Sequence, residues 1–424
     1  MKKLLLILLC FPVMTFAQKT YVPDDDFEAY LEANGMGDGI VLNDSVLTIN
    51  INTVYNLYIY GFTGNQNISD LTGIENFTNL TVLNIQMTNL INLDVSQNTA
   101  LTTLDCSENQ LTTLDISGAS ALTTLNISDN YLTSLNVSNN TALNELFCTN
   151  NPLLTIDISQ NTALISLSCI ETGLSSLDVS QNTALTELDC SQNQLTSIDL
   201  SGASALTTLD CSQNQLTSLD LSGASALTTL YCYTNGITSL DLSNNLALTS
   251  LLCSYNSLTN LDLSNNLALT TLNCYTNGIT SLDLSNTTTL TELNCGNNQI
   301  TNLDVSNNLA LTNLGCRNNQ LTSLDVSNNT ALSTFYCHIN QLTSIDLSNH
   351  SLIGLSIITS SNSQLLCIEV DNPIFAQALF SSDIDTWTSF DTNCVTALGC
   401  TDSTACNYIP NTTIDDGSCL IGTS

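Results

Sequence analysis

The chain has 424 residues, of which 43% are hydrophobic and 10% charged, and its formal net charge is −34. Its 38 acidic residues face only 4 Lys and Arg, so its surface cannot neutralise phosphates, which excludes nucleic acids and anionic membranes as partners. The apolar content is too high and too regularly spaced for a disordered acidic chain.

The first 17 residues have the pattern of an export signal. Lys2 and Lys3 precede an apolar run from Leu4 to Cys10, and Ala17 ends a small-residue cleavage site. This run is too short to span a bilayer. We therefore predict that residues 1–17 are removed and that the protein is secreted or displayed at the cell surface, with no membrane span.

Residues 18–79 are predicted to form an N-terminal cap and an entry repeat. Acidic residues at 24–26 precede the segment Phe27–Glu32, which favours a helix whose N-terminus is acidic, and Asn34-Gly35 is a typical helix stop. Such a cap covers the edge that a stack of strands would otherwise expose.

From residue 80 to residue 352 the sequence repeats every 21 residues without an insertion, which gives 13 units. A representative unit, residues 206–226, is LTTLDCSQNQLTSLDLSGASA. Its apolar residues alternate in two short stretches, a pattern typical of strands with one buried face. We predict a mostly β solenoid of about 13 coils, each with two short strands that pair in parallel with those of neighbouring coils, capped at both ends.

These units resemble the leucine-rich repeat family. The pattern LxxLxCxxNxL, at Leu206, Leu209, Cys211, Asn214 and Leu216, resembles the family signature, and the following LTSLDLS resembles the nested bacterial subclass with 21-residue units, of the type found in Bacteroidetes. Residues 68–80, ISDLTGIENFTNL, resemble an internalin-type entry into such an array. The resemblance implies a right-handed solenoid that recognises proteins or glycans and rarely catalyses reactions.

Two columns of the repeat are predicted to be structural. Cysteine occupies one register at Cys106 and at every 21st residue from Cys148 to Cys337, with isoleucine in the same register at Ile85 and Ile127. Because isoleucine replaces it, and because parallel neighbours are poorly placed to form disulfides, we expect buried free thiols. Asparagine three residues later is expected to bond backbone groups within the coil, as the family's asparagine ladder does.

A third column is acidic and is predicted to face solvent in a file. Hydration and hydrogen bonds from neighbouring serines, such as Ser218 and Ser222 beside Asp220, are one way to offset the repulsion between the carboxylates. A row of weakly held calcium ions is the other, although two aspartates supply few of the oxygens that calcium gathers. The candidate calcium ligands are Asp199, Asp220, Asp241, Asp262, Asp283 and Asp304.

The remaining outward columns vary between coils, and variation on a fixed scaffold is where recognition can be located. Tyrosine suits an interface because it offers both area and a hydroxyl. The alternative is drift within the repeat, with tyrosines that only cover sheet surface. The candidate ligand-binding residues are Phe147, Tyr231, Tyr233, Tyr255, Tyr275, Arg317, Tyr336 and His338.

The C-terminal end departs from the repeat. Residues 353–396 are predicted to form a cap in which Cys367 and Cys394 are a candidate disulfide, although spacing alone does not fix connectivity. Residues 397–424, with Cys400, Cys406 and Cys419, resemble a short cysteine module found in surface proteins of the Bacteroidetes.

The sequence favours recognition over catalysis. It has 2 His and lacks a nucleophile elbow, a phosphate loop and an HExxH motif, so we predict that it is not an enzyme and has no cofactor apart from the calcium alternative. The leading hypothesis is an adhesion or recognition protein, a monomer that binds an extracellular protein or glycan through the variable sheet face. The alternative is a structural spacer of a surface or matrix without a specific ligand. A third hypothesis, ice binding by the threonine columns, is disfavoured by the acidic file.

Overall fold

The computed structural model describes residues 18–65, 67–405, 412 and 414–420. The predicted signal peptide and Cys406 lie outside these residues. Clustering of contacts divides the chain into two compact units, Met1–Leu143 and Asn144–Ser424. None of the helices in the described ranges is long and apolar enough to cross a bilayer.

The first unit contains the helix that the sequence predicts near its N-terminal end. This helix spans Asp25–Ala33, and the Asp24 side chain caps it by accepting the Phe27 N–H at 2.9 Å. It buries Phe27 and Leu31 completely. Around it lie an antiparallel pair of strands, a second short helix and two 3₁₀ turns: Lys19–Tyr21 with Ser45–Leu47, then Thr48–Ile51, Gly61–Thr63 and Ile74–Asn76.

Parallel strands then recur once in each coil of the first unit. The first half of each coil supplies one strand, and each leucine pairs in register with the leucine of the next coil, as Leu83 does with Leu104. The first-half strands of this unit are Asn56–Tyr60, Val82–Gln86, Thr103–Asp105 and Thr124–Asn126, and its second-half pair is Asn92–Asp94 with Thr113–Asp115.

The second unit continues the same pattern, which confirms the mostly β solenoid. Leu209, Leu230 and Leu251 stack in register and are fully buried, and each such side chain stabilises the fold by about 1.5–3 kcal/mol. The first-half strands of this unit are Glu145–Phe147, Ser166–Ser168, Glu187–Asp189, Thr208–Asp210, Thr229–Tyr231, Ser250–Leu252, Thr271–Asn273, Glu292–Asn294, Asn313–Gly315, Thr334–Tyr336 and Ser356–Ile358.

The second half of the coil forms strands less often than the first half. In the second unit a paired ladder joins Ser176–Asp178 to Ser197–Asp199, whereas most coils described there have no strand at this position. Second-half leucines are also slightly more exposed than first-half leucines: Leu219 and Leu240 keep 8% and 7% of their surface exposed, while Leu209 and Leu230 keep none.

Two registers of buried asparagine join the coils, of which the sequence predicts one. Asn193 accepts the Leu174 N–H at 3.1 Å and donates to the carbonyls of Cys169 and Cys190 at 2.7 and 3.1 Å, so it satisfies backbone groups of two coils. The second register, which includes Asn182, donates to the preceding coil but leaves its Oδ1 without a partner.

The coil does not end at Leu352. Strand Ser356–Ile358 pairs with Thr334–Tyr336, and Asn362 continues the asparagine ladder by donating to the Cys337 carbonyl. These two coils are separated by 22 residues rather than 21, because one residue is inserted. A search for a fixed 21-residue period therefore misses the last coil. A separate parallel sheet at this end of the chain consists of strands Ile345–Asp346, Cys367–Glu369 and Ser389–Asp391.

The remaining elements are short and are held by disulfides. Helices span Pro373–Phe380 and Cys394–Ala397, and strand Leu398–Gly399 pairs with Ile414–Asp415. The structure joins Cys367 to Cys394, the pair that the sequence proposes, with an S–S distance of 2.04 Å. It also joins Cys400 to Cys419.

Candidate functional site

The outward side chains of the first-half strands differ in charge along the second unit. The first four of these strands, each taken together with the two residues that follow it, carry the acids Glu145, Glu187, Asp189 and Asp210. The next six carry one acid, Glu292, and one cation, Arg317. We name the outward side chains of these six strands and of the two residues after each strand, from Thr229 to His338, the neutral face. In a protein of net charge −34, this surface has a formal charge of zero.

Arg317 and Tyr275 meet on the neutral face although they belong to coils that are not adjacent. The guanidinium carbon of Arg317 lies 4.9 Å from the centroid of the Tyr275 ring, and its Nη2 donates to the Tyr275 hydroxyl. The Asn297 amide donates to the same hydroxyl at 2.8 Å. These contacts fix the positions of both the ring and the cation.

Gly296 explains why the pair can form. It occupies the same register in the coil between them, and a Cβ there would lie 3.0 Å from Arg317 Cγ and 3.1 Å from Tyr275 Cδ2. Any other residue would push between the two side chains. A glycine at such a position in a sheet often marks a close approach, here of two side chains.

Tyr255 extends the aromatic surface. Its ring contacts Tyr275 edge-on, with the centroids 5.5 Å apart, and 53% of the residue is exposed. It has a φ of 54°, the left-handed conformation that recurs at this corner of the coil, for example at Gln213 and Asn297. The corner therefore turns the Tyr255 side chain out of the coil and toward its neighbour.

A cavity of about 560 Å³ opens on the neutral face beside this pair. Tyr275, Arg317 and Tyr336 line it together with Leu252 and the amides of Asn273 and Asn294. Gly315 contributes to its floor, where a Cβ would lie 3.2 Å from Asn294 Oδ1. The cavity is larger than those beside the acidic file, which are at most about 300 Å³.

Tyr336 and His338 lie at the far side of the cavity. The Tyr336 hydroxyl is 3.1 Å from Ser356 Oγ. Partial burial and the charge of Arg317 hold the pKa of His338 below its ordinary value of 6.5, so this imidazole is neutral at pH 7. Arg317 is consequently the only formal positive charge on the neutral face at that pH.

The structure brings some of the predicted ligand-binding residues together and not others. Tyr255, Tyr275, Arg317 and Tyr336 form one group around the cavity, with His338 next to it. Tyr231 and Tyr233 lie on the same face but do not line the cavity. Phe147 is four coils before Tyr231, which is about 19 Å at the usual strand spacing. It therefore does not belong to this group.

Several residues of the site escape sequence reasoning, among them Gly296, Gly315 and Glu292. The two glycines leave space that a side chain would fill, for the Tyr275–Arg317 pair at Gly296 and for the cavity at Gly315. Glu292 lines the cavity from the first position of its strand. The sequence does mark the two glycines, because only strands Glu292–Asn294 and Asn313–Gly315, with the two residues after each, carry glycine at an outward position among the first-half strands. The first unit also exposes aromatic residues that the sequence analysis does not select, among them Tyr58 and Phe62.

The acidic file is exposed, and its carboxylates are occupied by local turns. Each of the six candidate calcium ligands accepts the backbone N–H of the serine two residues later, as Asp220 does from Ser222 at 2.9 Å. These hydrogen bonds lower the pKa of Asp220 despite the repulsion from Asp241. Among the described residues, one set of three or more acidic side chains brings its carboxylate oxygens within 4.8 Å of one another. This set is Asp25, Glu28 and Asp44, which is not part of the acidic file. The calcium assignment therefore stays a prediction.

The cysteine column is part of the core. All eleven of its thiols, from Cys106 to Cys337, are buried and free. Burial raises the pKa of Cys148 and of Cys274 to about 12, so these thiols stay protonated and cannot act as nucleophiles at neutral pH.

Comparisons with known proteins find similarity among solved structures. No family model matches the chain, and no curated protein matches it. The functional domain of InlJ from Listeria monocytogenes, which includes a cysteine ladder, is 37% identical with a TM-score of 0.65, and the alignment covers 78% of each chain. A leucine-rich repeat protein of Leptospira interrogans is 23% identical (TM-score 0.65; 81% of this chain, 97% of that one), and the internalin InlF of L. monocytogenes is 25% identical (TM-score 0.59; 83% and 96%).

Proposed function

The chain belongs to the bacterial leucine-rich repeat proteins, and we propose that it is a recognition or adhesion protein that binds an extracellular protein or glycan through the neutral face. Its relatives on this fold include internalins. The fold itself supplies a rigid row of outward side chains, and the variable columns supply the chemistry.

One observation carries the proposal: the only long stretch of the second unit's first-half strands without net charge is also where the tyrosines and the cavity lie. Acidic side chains repel one another and anionic partners, and on the neutral face the one acid, Glu292, is balanced by Arg317, so this surface lacks the net charge of the strands before it. Tyrosines held by neighbours, as Tyr275 is by Arg317 and Asn297, lose little freedom when a ligand binds.

The proposal includes the location and state of the protein. The two disulfides suit an oxidising compartment, which supports a secreted or cell-surface protein with a cleaved signal peptide. We propose that it acts as a monomer, does not bind nucleic acids and has no catalytic activity. We also assign it to the nested 21-residue subclass found in Bacteroidetes, with an internalin-like entry at residues 68–80.

A binding screen separates recognition from the alternative of a structural spacer. The purified chain is applied to immobilised extracellular proteins and glycans, beside a variant with Tyr231→Ser, Tyr233→Ser and Tyr275→Ser. The control variant carries Tyr21→Ser, Tyr55→Ser and Tyr131→Ser. These three tyrosines of the first unit have exposed fractions of 60%, 61% and 61%, so they are more exposed than the three neutral-face tyrosines.

We expect a ligand that the wild type and the control variant bind and the neutral-face variant does not. A ligand that all three bind equally places recognition elsewhere. If the wild type binds none of the immobilised molecules, the spacer alternative is favoured.

A further inference from the structure

Resting on the proposed function, we propose that the cavity beside Tyr275, Arg317 and Tyr336 binds a saccharide that carries a carboxylate, with the Arg317 guanidinium pairing that carboxylate. The proposal deepens the assignment of the neutral face by naming the class of ligand. It follows from the state of the cation, the lining of the cavity and the position of its one acidic residue.

Arg317 is a cation without an anionic partner. Lys19 with Asp38 is the one ion pair among the described residues, although the chain has 38 acids. A guanidinium has five N–H donors, and Arg317 uses one on the Tyr275 hydroxyl. A carboxylate accepts two parallel N–H bonds from such a group, and the Tyr275 ring already holds the guanidinium in place, so binding orders few additional torsions.

The lining of the cavity suits a saccharide better than a protein side chain. Hydroxyls and amides from Thr271, Asn273, Asn294, Asn313 and Thr334 line it, beside an apolar surface to which Leu252, Tyr275 and Tyr336 contribute. Protein interfaces are anchored by apolar and aromatic side chains in desolvated pockets, whereas this cavity places amides and hydroxyls between its aromatic residues. A sugar ring presents hydroxyls to amides and C–H groups to aromatic faces, and about 560 Å³ is within the usual size of small-ligand pockets.

Glu292 lines the same cavity as Arg317, but the two residues lie at opposite ends of it along the strand direction. It pairs in register with Asn313, four residues before Arg317, which corresponds to roughly 13 Å along a strand. At physiological ionic strength this distance exceeds the screening length of about 8 Å. A ligand carboxylate at Arg317 is therefore only weakly repelled by Glu292.

The experiment compares acids with their neutral forms. The purified full chain is tested by calorimetry and on a printed panel of uronate- and sialate-terminated saccharides, beside the methyl esters of the same compounds and a triglutamate peptide. The variants are Arg317→Gln, Arg317→Lys and Glu292→Gln. Tyr131→Ser, an exposed tyrosine of the first unit outside the neutral face, is the control.

We expect wild type and Tyr131→Ser to bind an acidic saccharide at least tenfold more tightly than its ester. Arg317→Gln should lose this difference, Arg317→Lys should keep part of it, and Glu292→Gln should bind as tightly as wild type or more so. Equal binding of acid and ester, or no effect of Arg317→Gln, overturns the inference, and so does triglutamate binding with the same dependence on Arg317.

Failure of this inference and failure of the proposed function have different signatures. If no acidic saccharide binds while another ligand is lost in the Tyr231, Tyr233 and Tyr275 variant, the carboxylate assignment is wrong and the neutral face remains the binding surface. If neither binds, both are wrong.

Discussion

Arg317 contacts Tyr275 across two coils, 42 residues apart in sequence, because the residue between them in the same register is Gly296. Side chains in adjacent coils of a parallel stack always lie near each other, but contact between every second coil requires a gap. The candidate site therefore depends as much on a missing side chain as on those present.

The first prediction concerns the energy of this contact. A double-mutant cycle with Tyr275→Leu and Arg317→Met should give a coupling of about 0.5–1 kcal/mol in urea denaturation, as expected for an exposed cation–π pair. In a Gly296→Ala background the coupling should disappear, since the new Cβ would lie 3.0 Å from Arg317 Cγ. Gly278→Ala is the control because its nearest neighbour is an ordinary 3.4 Å away; if it abolishes the coupling too, the explanation by Gly296 is wrong.

The second prediction compares the two asparagine registers within one coil. Asn193→Ala leaves the N–H groups of Thr172 and Leu174 without their acceptor, and each buried orphan costs about 1–3 kcal/mol. Asn182→Ala removes only donated bonds, because Asn182 Oδ1 has no partner. We expect Asn193→Ala to lower the free energy of unfolding by about 2 kcal/mol more than Asn182→Ala. Equal losses would show that the accepted bonds contribute little.

The third prediction is that the cysteine column is inert in the folded protein. The eleven thiols are buried, and burial raises their pKa, to about 12 for Cys148 and Cys274, so almost no thiolate exists at pH 8. In a Cys406→Ser chain from which residues 1–17 are removed, a thiol reagent should label none of them in buffer and all eleven in denaturant. Rapid labelling of any column cysteine under native conditions would contradict the buried ladder.

The fourth prediction concerns acid and the acidic file. Hydrogen bonds from Ser243 lower the pKa of Asp241, so the folded state favours the charged carboxylate. This contribution to stability is fully present when the pH is above the ordinary carboxyl pKa of 3.8, and it is lost as the pH falls through the lowered pKa of the folded state. We expect the melting temperature to decline below about pH 4.

The same file allows a test of calcium. Because the serine turns already engage the carboxylates, we expect equal melting temperatures in calcium and in sodium of matched ionic strength. A higher melting temperature in calcium, removed by Asp241→Asn with Asp262→Asn, would establish the alternative. Asn136, which accepts the Ser138 N–H in the same register at 3.1 Å, shows that asparagine preserves the turn.

The sequence predicts the coil well because the repeat tests each position many times. Most coils have an inward leucine at positions such as Leu209 and an amide at positions such as Asn193, although Phe335 and Thr172 are exceptions, so both positions are recognisable. Gly296 occurs once, and its effect is visible only when Tyr275 and Arg317 are placed on either side of it. The coil at Ser356–Ile358 is missed for a related reason, since a single inserted residue breaks the period but not the hydrogen bonds.

The last prediction concerns Ile339, which adopts the left-handed conformation of the coil corner with a φ of 56°. The conformation costs an L-residue about 1–2 kcal/mol and is worst for β-branched side chains, whereas asparagine tolerates it. Ile339 is 47% exposed, so Ile339→Asn loses little burial and should raise the free energy of unfolding by about 1 kcal/mol. Gln192→Ile, at the same corner with the same φ, should lower it by a similar amount. If both changes lower stability, the side-chain packing of Ile339 outweighs its backbone strain.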